Sequence, residues 1–176
     1  MTRKPADQPT RSLELAVVTG GSGGIGSAVV RRLADEYSLV ALTYRTSPPA
    51  ELLEELGSRI HAEKLDVSHS ESVAKVFARL TTEFGDINTL VHAAGPHVPM
   101  KHLSKVSPEE FAEQVDADLM GFFNVMHAAI PSLRRVSGSV VAVTTAATSR
   151  YPVRDGLSAA PKGGVEALAR ALAVEE

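Results

Sequence analysis

The segment VVTGGSGGIGSAVV, residues 17–30, joins an apolar strand to a helix through a glycine-rich loop. Its spacing is T-G-x-x-x-G-x-G, with the glycines at Gly20, Gly24 and Gly26. The first permits a tight turn, the second lets the backbone approach a pyrophosphate, and the third lets the helix pack on the strand. A glycine loop alone also fits an ordinary turn, but the flanking strand and helix favour dinucleotide binding. Ser22 and Ile25, between these glycines, join them as predicted binding residues.

Short β-rich runs alternate with helical stretches along the rest of the chain. We predict strands at 13–19, 39–44, 59–67, 87–95 and 138–145, and helices at 24–37, 50–57, 69–85, about 108–135 and from Ser158 to 176. This alternation predicts an α/β fold, a doubly wound Rossmann-type parallel sheet in three α/β/α layers. The third strand is less apolar and is expected near the edge. The fifth, continuously apolar, is expected to be fully buried.

Composition excludes several classes of function. The chain has 176 residues, 44% of them hydrophobic, a formal net charge of −3 and no cysteine. It therefore lacks disulfides, thiolate zinc sites and a cysteine nucleophile, and we expect a cytoplasmic protein. No basic block points to nucleic acid or a membrane surface. His92, His97 and His102 lack metal-site spacing, so no metal is expected.

Residues 1–12 are polar and charged, without the apolar core of a secretory signal. We predict a flexible N-terminal tail there, and one dinucleotide-binding domain over residues 13–176.

Three further motifs make the chain recognisable. With the glycine loop, LDV at 65–67, HAAG at 92–95 and the helix carrying Lys162 resemble the short-chain dehydrogenase/reductase family, in its usual order and spacing. The resemblance covers residues 13–176 and implies a nicotinamide cofactor and hydride transfer. It places Asp66 and Val67 along the adenine. On the ribose side it places Ala93, Ala94, Gly95 and Lys162.

The second strand ends in TYRTS, without the acidic residue that holds the ribose 2′-hydroxyl of NAD. Arg45 stands there instead, and a guanidinium matches a 2′-phosphate in charge and donor geometry. The alternative is a solvated surface arginine. The position favours NADP(H) over NAD(H).

Relatives use an asparagine, a serine, a tyrosine and a lysine together. By the resemblance, Lys162 matches the lysine of Y-x-x-x-K and Thr145 matches the serine. Asp118 stands at the asparagine position, and Ser158 at the tyrosine position. Asp118 beside Lys162 is expected to be a carboxylate partner rather than an acid.

Ser158 is not expected to replace the tyrosine as acid. A phenol starts near a pKa of ~10 and needs about three units to reach neutrality. An aliphatic hydroxyl is a far weaker acid, close to water, so its pKa would have to fall by more than the ~3–5 units seen for strongly perturbed groups. We interpret Ser158 as a helix N-cap, which puts Pro161 at the third helical position.

Tyr151 is the other phenol in reach, on the loop before the last helix. The 2,4-dienoyl-CoA reductases have a serine at the same position and take a tyrosine from this loop, at a different spacing. A tyrosine packed on the surface is the alternative interpretation.

Two functional hypotheses remain open. The first is an NADP(H)-dependent reductase of a carbonyl or enoyl substrate. The second is a catalytically impaired NADP(H)-binding protein or partner subunit. Relatives continue past the last helix, so we expect a C-terminally shortened fold, from a fragment or a short member.

A homo-oligomer, dimer or tetramer, is also expected, because the fourth helix has too many apolar residues for one face: Leu119, Phe122, Phe123, Met126 and Ile130.

Overall fold

The computed structural model describes residues 14–176, so the predicted tail over residues 1–12 lies outside the described residues. Five strands run along this range: β1 Leu15–Thr19, β2 Leu39–Tyr44, β3 Ile60–Lys64, β4 Ile87–His92 and β5 Ser139–Ala142. The α-helices are α1 Gly24–Ala34, α2 Ala50–Leu56, α3 Ser70–Phe84, α4 Pro108–Val115, α5 Gly121–Val136, α6 Ala147–Arg150 and α7 Gly156–Glu175. None of the helices in the described range combines the length and apolar character needed to cross a membrane.

The strands form one parallel sheet in the order β3-β2-β1-β4-β5. This confirms the predicted doubly wound Rossmann-type fold, and it confirms β3 at an edge. The chain reverses its direction of travel across the sheet at β1, whose neighbours are β2 and β4. Ligands in such sheets bind at the carboxyl ends of the strands at this switch point.

Two hydrophobic layers hold helices on the two faces of the sheet. One layer packs α3, α5 and α7 on the sheet, with Val17, Phe77, Leu90, Phe122 and Val165 among its buried members. The other packs α1 and α2 on the opposite face, with Val18, Val30, Leu42 and Leu52 buried. Alternate residues of β1 thus serve opposite layers, which is the two-residue period of a strand covered on both faces.

The prediction that the fifth strand is fully buried is wrong. Among the described residues β5 is an edge strand, paired only with β4, and its Val141 side chain is 53% exposed. An apolar sequence indicates that a strand is suited to burial. Whether the strand is in fact buried depends on the elements that pack beside it.

The interpretation of Ser158 as an N-cap is also wrong. Helix α7 begins two residues earlier, at Gly156, and Asp155 is its N-cap. The Asp155 carbonyl accepts from both the Ser158 and the Ala159 backbone N–H, at 3.1 and 2.9 Å. Pro161 therefore lies inside the helix rather than at its third position. Burial of Leu157 in the first turn outweighs the local preference of serine for a cap.

The long helix predicted over 108–135 is divided. A π-helical segment, Asp116–Met120, separates α4 from α5. Helix α4 starts with a capping box, in which Ser107 and Glu110 satisfy each other's backbone N–H groups. The π segment matters because it carries Asp118 to the carboxyl edge of the sheet, and such segments are frequent at functional sites.

Candidate functional site

The carboxyl ends of β1 and β4 are joined by side chains as well as by the sheet. Thr19 Oγ1 and His92 Nδ1 are 2.8 Å apart in a buried hydrogen bond, and the two residues are partners in the strand register. The Ala93 N–H then donates to the Thr19 carbonyl at 2.9 Å. These bonds fix the segment after β4 directly beside the glycine loop.

His92 is buried and neutral beneath this edge. Burial lowers the pKa of its imidazole to about 3, and the positive charge of Lys162 acts in the same direction. Its ring meets the Phe122 ring edge-on, with centroids 5.2 Å apart. The side chain serves as an uncharged support for the residues that follow it.

Two positions of the glycine loop have no room for a side chain. Gly20 has φ +72°, and a Cβ there would lie 2.6 Å from the Ala94 Cα. A Cβ on Gly26 would lie 2.2 Å from the Gly20 carbonyl oxygen, so the start of α1 packs directly on the loop. The Thr43 hydroxyl accepts from the Gly20 N–H at 3.2 Å and ties the loop to β2. Both glycines are therefore required by the fold itself.

Gly24 is different. A Cβ at this position would meet nothing within 4 Å in the described part of the chain. The fold does not require glycine here, whereas a phosphate approaching the first turn of α1 would. Ile25 is exposed beside it. This open approach to a helix N-terminus suits the phosphates of a dinucleotide.

A cavity of about 250 Å³ lies along the loop at the sheet edge. It brings together eight of the predicted cofactor residues: Gly20, Ser22, Arg45, Asp66, Val67, Ala93, Ala94 and Gly95. Gly24, Ile25, Gly26 and Lys162 do not line it. A groove beside a glycine loop fits an extended nucleotide, and the residues present suit a nicotinamide dinucleotide.

Arg45 and Asp66 stand at one end of this cavity. Partial burial would raise the pKa of Asp66, but hydrogen bonds from the Ser68 hydroxyl and N–H hold it below its usual value, helped by the charges of His69 and Arg45. These bonds are 2.7 and 3.0 Å long. The carboxylate is thus engaged by its own turn, while the Arg45 side chain is exposed to the cavity.

Lys162 and Asp118 form a buried ion pair next to Gly95, just outside the lining of the cavity. Their Nζ and Oδ1 atoms are 2.9 Å apart, and the side chains are 13% and 1% exposed. The Gln114 amide donates to the second oxygen, Oδ2, at 2.5 Å. The structure thus pairs Asp118 with Lys162, as the sequence predicts for a carboxylate partner.

The loop after β5 carries Thr145 and is fastened to α7. The Thr145 hydroxyl oxygen accepts from the Ala147 N–H at 3.2 Å, which leaves its own proton free to donate. The Thr148 hydroxyl lies 2.9 Å from the Thr145 carbonyl and 2.8 Å from the Glu166 carboxylate on α7, and it donates its one proton to either acceptor. The hydrogen bond from Thr148 is the main cause that lowers the pKa of Glu166. This carboxylate holds the loop in position.

Tyr151 and Ser158 are not brought into the ion pair. Tyr151 follows α6 in a left-handed conformation, φ 48°, and its side chain is 76% exposed. No hydrogen bond among residues 14–176 joins its phenol to Thr145 or Lys162. Ser158 lies in the first turn of α7, one helical turn before Lys162. Neither residue is shown in a catalytic contact.

Sequence reasoning missed two supporting residues and one supporting hydrogen bond. Gln114 lies four residues before Asp118, a spacing that places two side chains on one helical face and could have been noticed. Glu166 has the same spacing from Lys162. The Thr19–His92 bond spans 73 residues, and no local signal announces it.

Comparison with known proteins supplies relatives. The family profile described as short chain dehydrogenase matches residues 14–176. The chain is similar to L-fucose dehydrogenase of Oryctolagus cuniculus, with 29% identity over 164 residues, 93% of this chain and 57% of that protein. It is similar to serine 3-dehydrogenase of Agrobacterium fabrum, with 30% identity over 141 residues, 80% of this chain and 56% of that protein. The chain thus spans less than three fifths of these two curated relatives.

Among solved structures, an alcohol dehydrogenase from the archaeon Thermococcus sibiricus, complexed with 5-hydroxy-NADP, superimposes with a TM-score of 0.81. The two sequences are 32% identical, and the match covers 92% of this chain and 71% of that one.

Proposed function

The chain belongs to the short-chain dehydrogenase family, and from this premise we propose that it is an NADP(H)-dependent oxidoreductase. Its reaction is hydride transfer between the cofactor and a carbonyl or enoyl substrate. The observation that carries the proposal is the cavity at the switch point, with a glycine loop along it and Arg45 at its end. The relative whose structure holds 5-hydroxy-NADP supports the phosphorylated cofactor.

In this proposal each part of the site has one task. The first turn of α1 binds the phosphates, and Arg45 pairs with the 2′-phosphate. Lys162 holds the ribose, and the nicotinamide supplies or accepts the hydride. Thr145 orients the substrate oxygen with the proton that its contact to Ala147 leaves free.

The proton donor in the proposal is Tyr151. Because the Tyr151 side chain is exposed, the proposal requires the loop to move toward bound substrate, so that the phenol reaches the substrate oxygen. Ser158 takes no part in proton transfer, because an aliphatic hydroxyl cannot reach a neutral pKa with the perturbations that proteins provide.

The cofactor assignment is tested by equilibrium titration with NADPH and NADH. Arg45→Ala should remove most of the preference for NADPH, because the 2′-phosphate loses its charged partner. Lys75→Ala is the matched control, since it removes one exposed positive charge on α3, away from the cavity. Equal affinities of the wild type for NADPH and NADH would contradict the NADP(H) assignment.

A second candidate is an NADP(H)-binding protein without turnover. Two features favour it: Ser158 stands at the position of the family's tyrosine, and Asp118 forms an ion pair with Lys162. Turnover assays with ketones and enoyl thioesters separate the two candidates, and binding without turnover in all of them selects the second.

The same assays test the proton donor. Tyr151→Phe should reduce turnover ~10²–10⁴-fold while cofactor binding is kept, the usual loss for a general acid. Ser158→Ala should leave turnover nearly unchanged, and Ser158→Tyr should raise it by restoring a phenol four residues before Lys162. Full activity in Tyr151→Phe would make that tyrosine structural.

A further inference from the structure

The Asp118 carboxylate is unusually well held for a side chain at a ligand site. Lys162 contacts one of its oxygens at 2.9 Å, and Gln114 donates to the other at 2.5 Å. With 1% of the side chain exposed, this negative charge is screened little by water. It is a fixed charge that directly compensates the ammonium group.

The pair lies against the Gly95 end of the cavity. Gly95 lines the cavity, and a Cβ on it would lie 3.0 Å from Asp118 Oδ1 and 3.2 Å from Lys162 Nζ. Ala117, next to Asp118, lines the cavity too. Arg45 stands at the opposite end. A dinucleotide with its 2′-phosphate at Arg45 and its pyrophosphate on the glycine loop has only the Gly95 end left for its second half.

That second half carries a charge that depends on its redox state. The oxidised nicotinamide ring is a cation, and the reduced ring is neutral. A lone ammonium group at the Gly95 end would repel the cationic oxidised ring and weaken its binding. A fixed carboxylate beside the ammonium group cancels this repulsion. A unit charge within about 12 Å, at an effective dielectric constant of about 20, changes a binding constant about tenfold.

We propose that Asp118 sets the redox-state preference of the site, raising its affinity for NADP⁺ relative to NADPH. This inference rests on the proposed function, because it needs the dinucleotide in this cavity. Asp118 acts here as a specificity-determining charge. It does not exchange a proton with the substrate, and its effect requires no turnover.

The experiment measures dissociation constants of NADP⁺ and NADPH for the wild type, Asp118→Asn and Asp116→Asn. Asparagine keeps the shape of Asp118 and removes its charge. Asp116 lies on the same π segment but is exposed, so it controls for the loss of one negative charge. The ratio Kd(NADP⁺)/Kd(NADPH) should rise about tenfold in Asp118→Asn and stay within about twofold of wild type in Asp116→Asn.

The opposite change gives a second measure that does not depend on how well Asp118→Asn folds. Lys162→Met leaves the carboxylate uncompensated, so the same ratio should fall about tenfold. Contacts of Lys162 to the ribose are common to both cofactors and cancel in the ratio.

An unchanged ratio in both site variants, with both cofactors bound, overturns this inference and leaves the proposed function standing. Equal shifts in Asp118→Asn and Asp116→Asn also overturn it, since the effect would then come from net charge. Failure of the wild type to bind either cofactor overturns the proposed function itself.

Discussion

Gly24 and Gly26 lie two residues apart, yet they lack a side chain for different reasons. The space beside Gly24 is open to an approaching ligand, whereas Gly26 presses on the Gly20 carbonyl. The two positions therefore separate the requirements of binding from those of folding. A substitution at Gly24 should affect cofactor affinity, and one at Gly26 should affect stability.

We expect Gly26→Ala to lower the free energy of unfolding by about 1–3 kcal/mol, because the backbone has no room for a methyl group. Gly24→Ala should leave stability unchanged or slightly higher, since alanine favours a helix, while NADPH binding weakens at least tenfold. Urea unfolding and cofactor titration measure the two effects. Gly163→Ala on α7, where a Cβ has ordinary space, is the control. Normal NADPH binding by Gly24→Ala would contradict the assignment of this glycine to the phosphates.

At the same scale, sequence patterns located residues better than they located interactions. The glycine loop was recognised from its spacing, Arg45 from its place at the end of the second strand, and HAAG at 92–95 from its resemblance to the family. Each follows a strand end, which brings it to the carboxyl edge of the sheet. Ser158 was misassigned, because its cap preference is worth ~1 kcal/mol and burial of the neighbouring Leu157 outweighs it.

Strand β4 ends in a residue whose charge state the fold controls. His92 is neutral in the fold, with a pKa near 3, whereas the unfolded imidazole takes up a proton below pH ~6.5. Its contribution to stability is complete above that pH and is lost as the pH falls toward 3.

We expect this histidine alone to reduce the free energy of unfolding by about 2 kcal/mol between pH 7 and pH 5. His92→Asn should remove that slope, even if it lowers stability overall. Urea unfolding at pH 7, 6 and 5 measures it, with the exposed His97→Asn as the control. A slope that survives in His92→Asn would mean that other groups titrate in this range.

The elements show where periodicity suffices and where it does not. All five strands were predicted, with ends within three residues of those observed, since apolar runs between glycine and proline breaks are strong local signals. The π segment was not predicted, because the extra residue in a helical turn leaves no pattern in the sequence. Exposure of β5 was also missed, since burial depends on neighbouring elements rather than on the strand itself.

The whole molecule presents apolar side chains on the outer face of α5. Phe122 and Met126 of this helix are in the core, but Phe123 is 44% exposed and Met120 is exposed beside it. A second copy of the chain, meeting this face in a symmetric contact, would cover them. We propose a homodimer or tetramer built on this helix.

Phe123→Glu should therefore shift the protein toward monomer, because it places a charge at the centre of the contact. Sedimentation velocity over a range of concentrations measures the shift. Val153→Glu, at an exposed apolar residue on a different part of the surface, is the control and should leave the assembly unchanged. A wild type that stays monomeric at high concentration would rule out the assembly.

The central position of β1 has a consequence for the order in which the molecule is made. Its partner β4 follows after α1, β2, α2, β3 and α3, and the Thr19–His92 bond closes a separation of 73 residues. At a synthesis rate of 5–20 residues per second, that edge of β1 waits roughly 4–15 s for its partner. During this interval the nascent chain exposes an unpaired apolar strand, which is the condition that molecular chaperones recognise and protect. The cavity, five of whose sixteen lining residues follow β4, is therefore completed only late in synthesis.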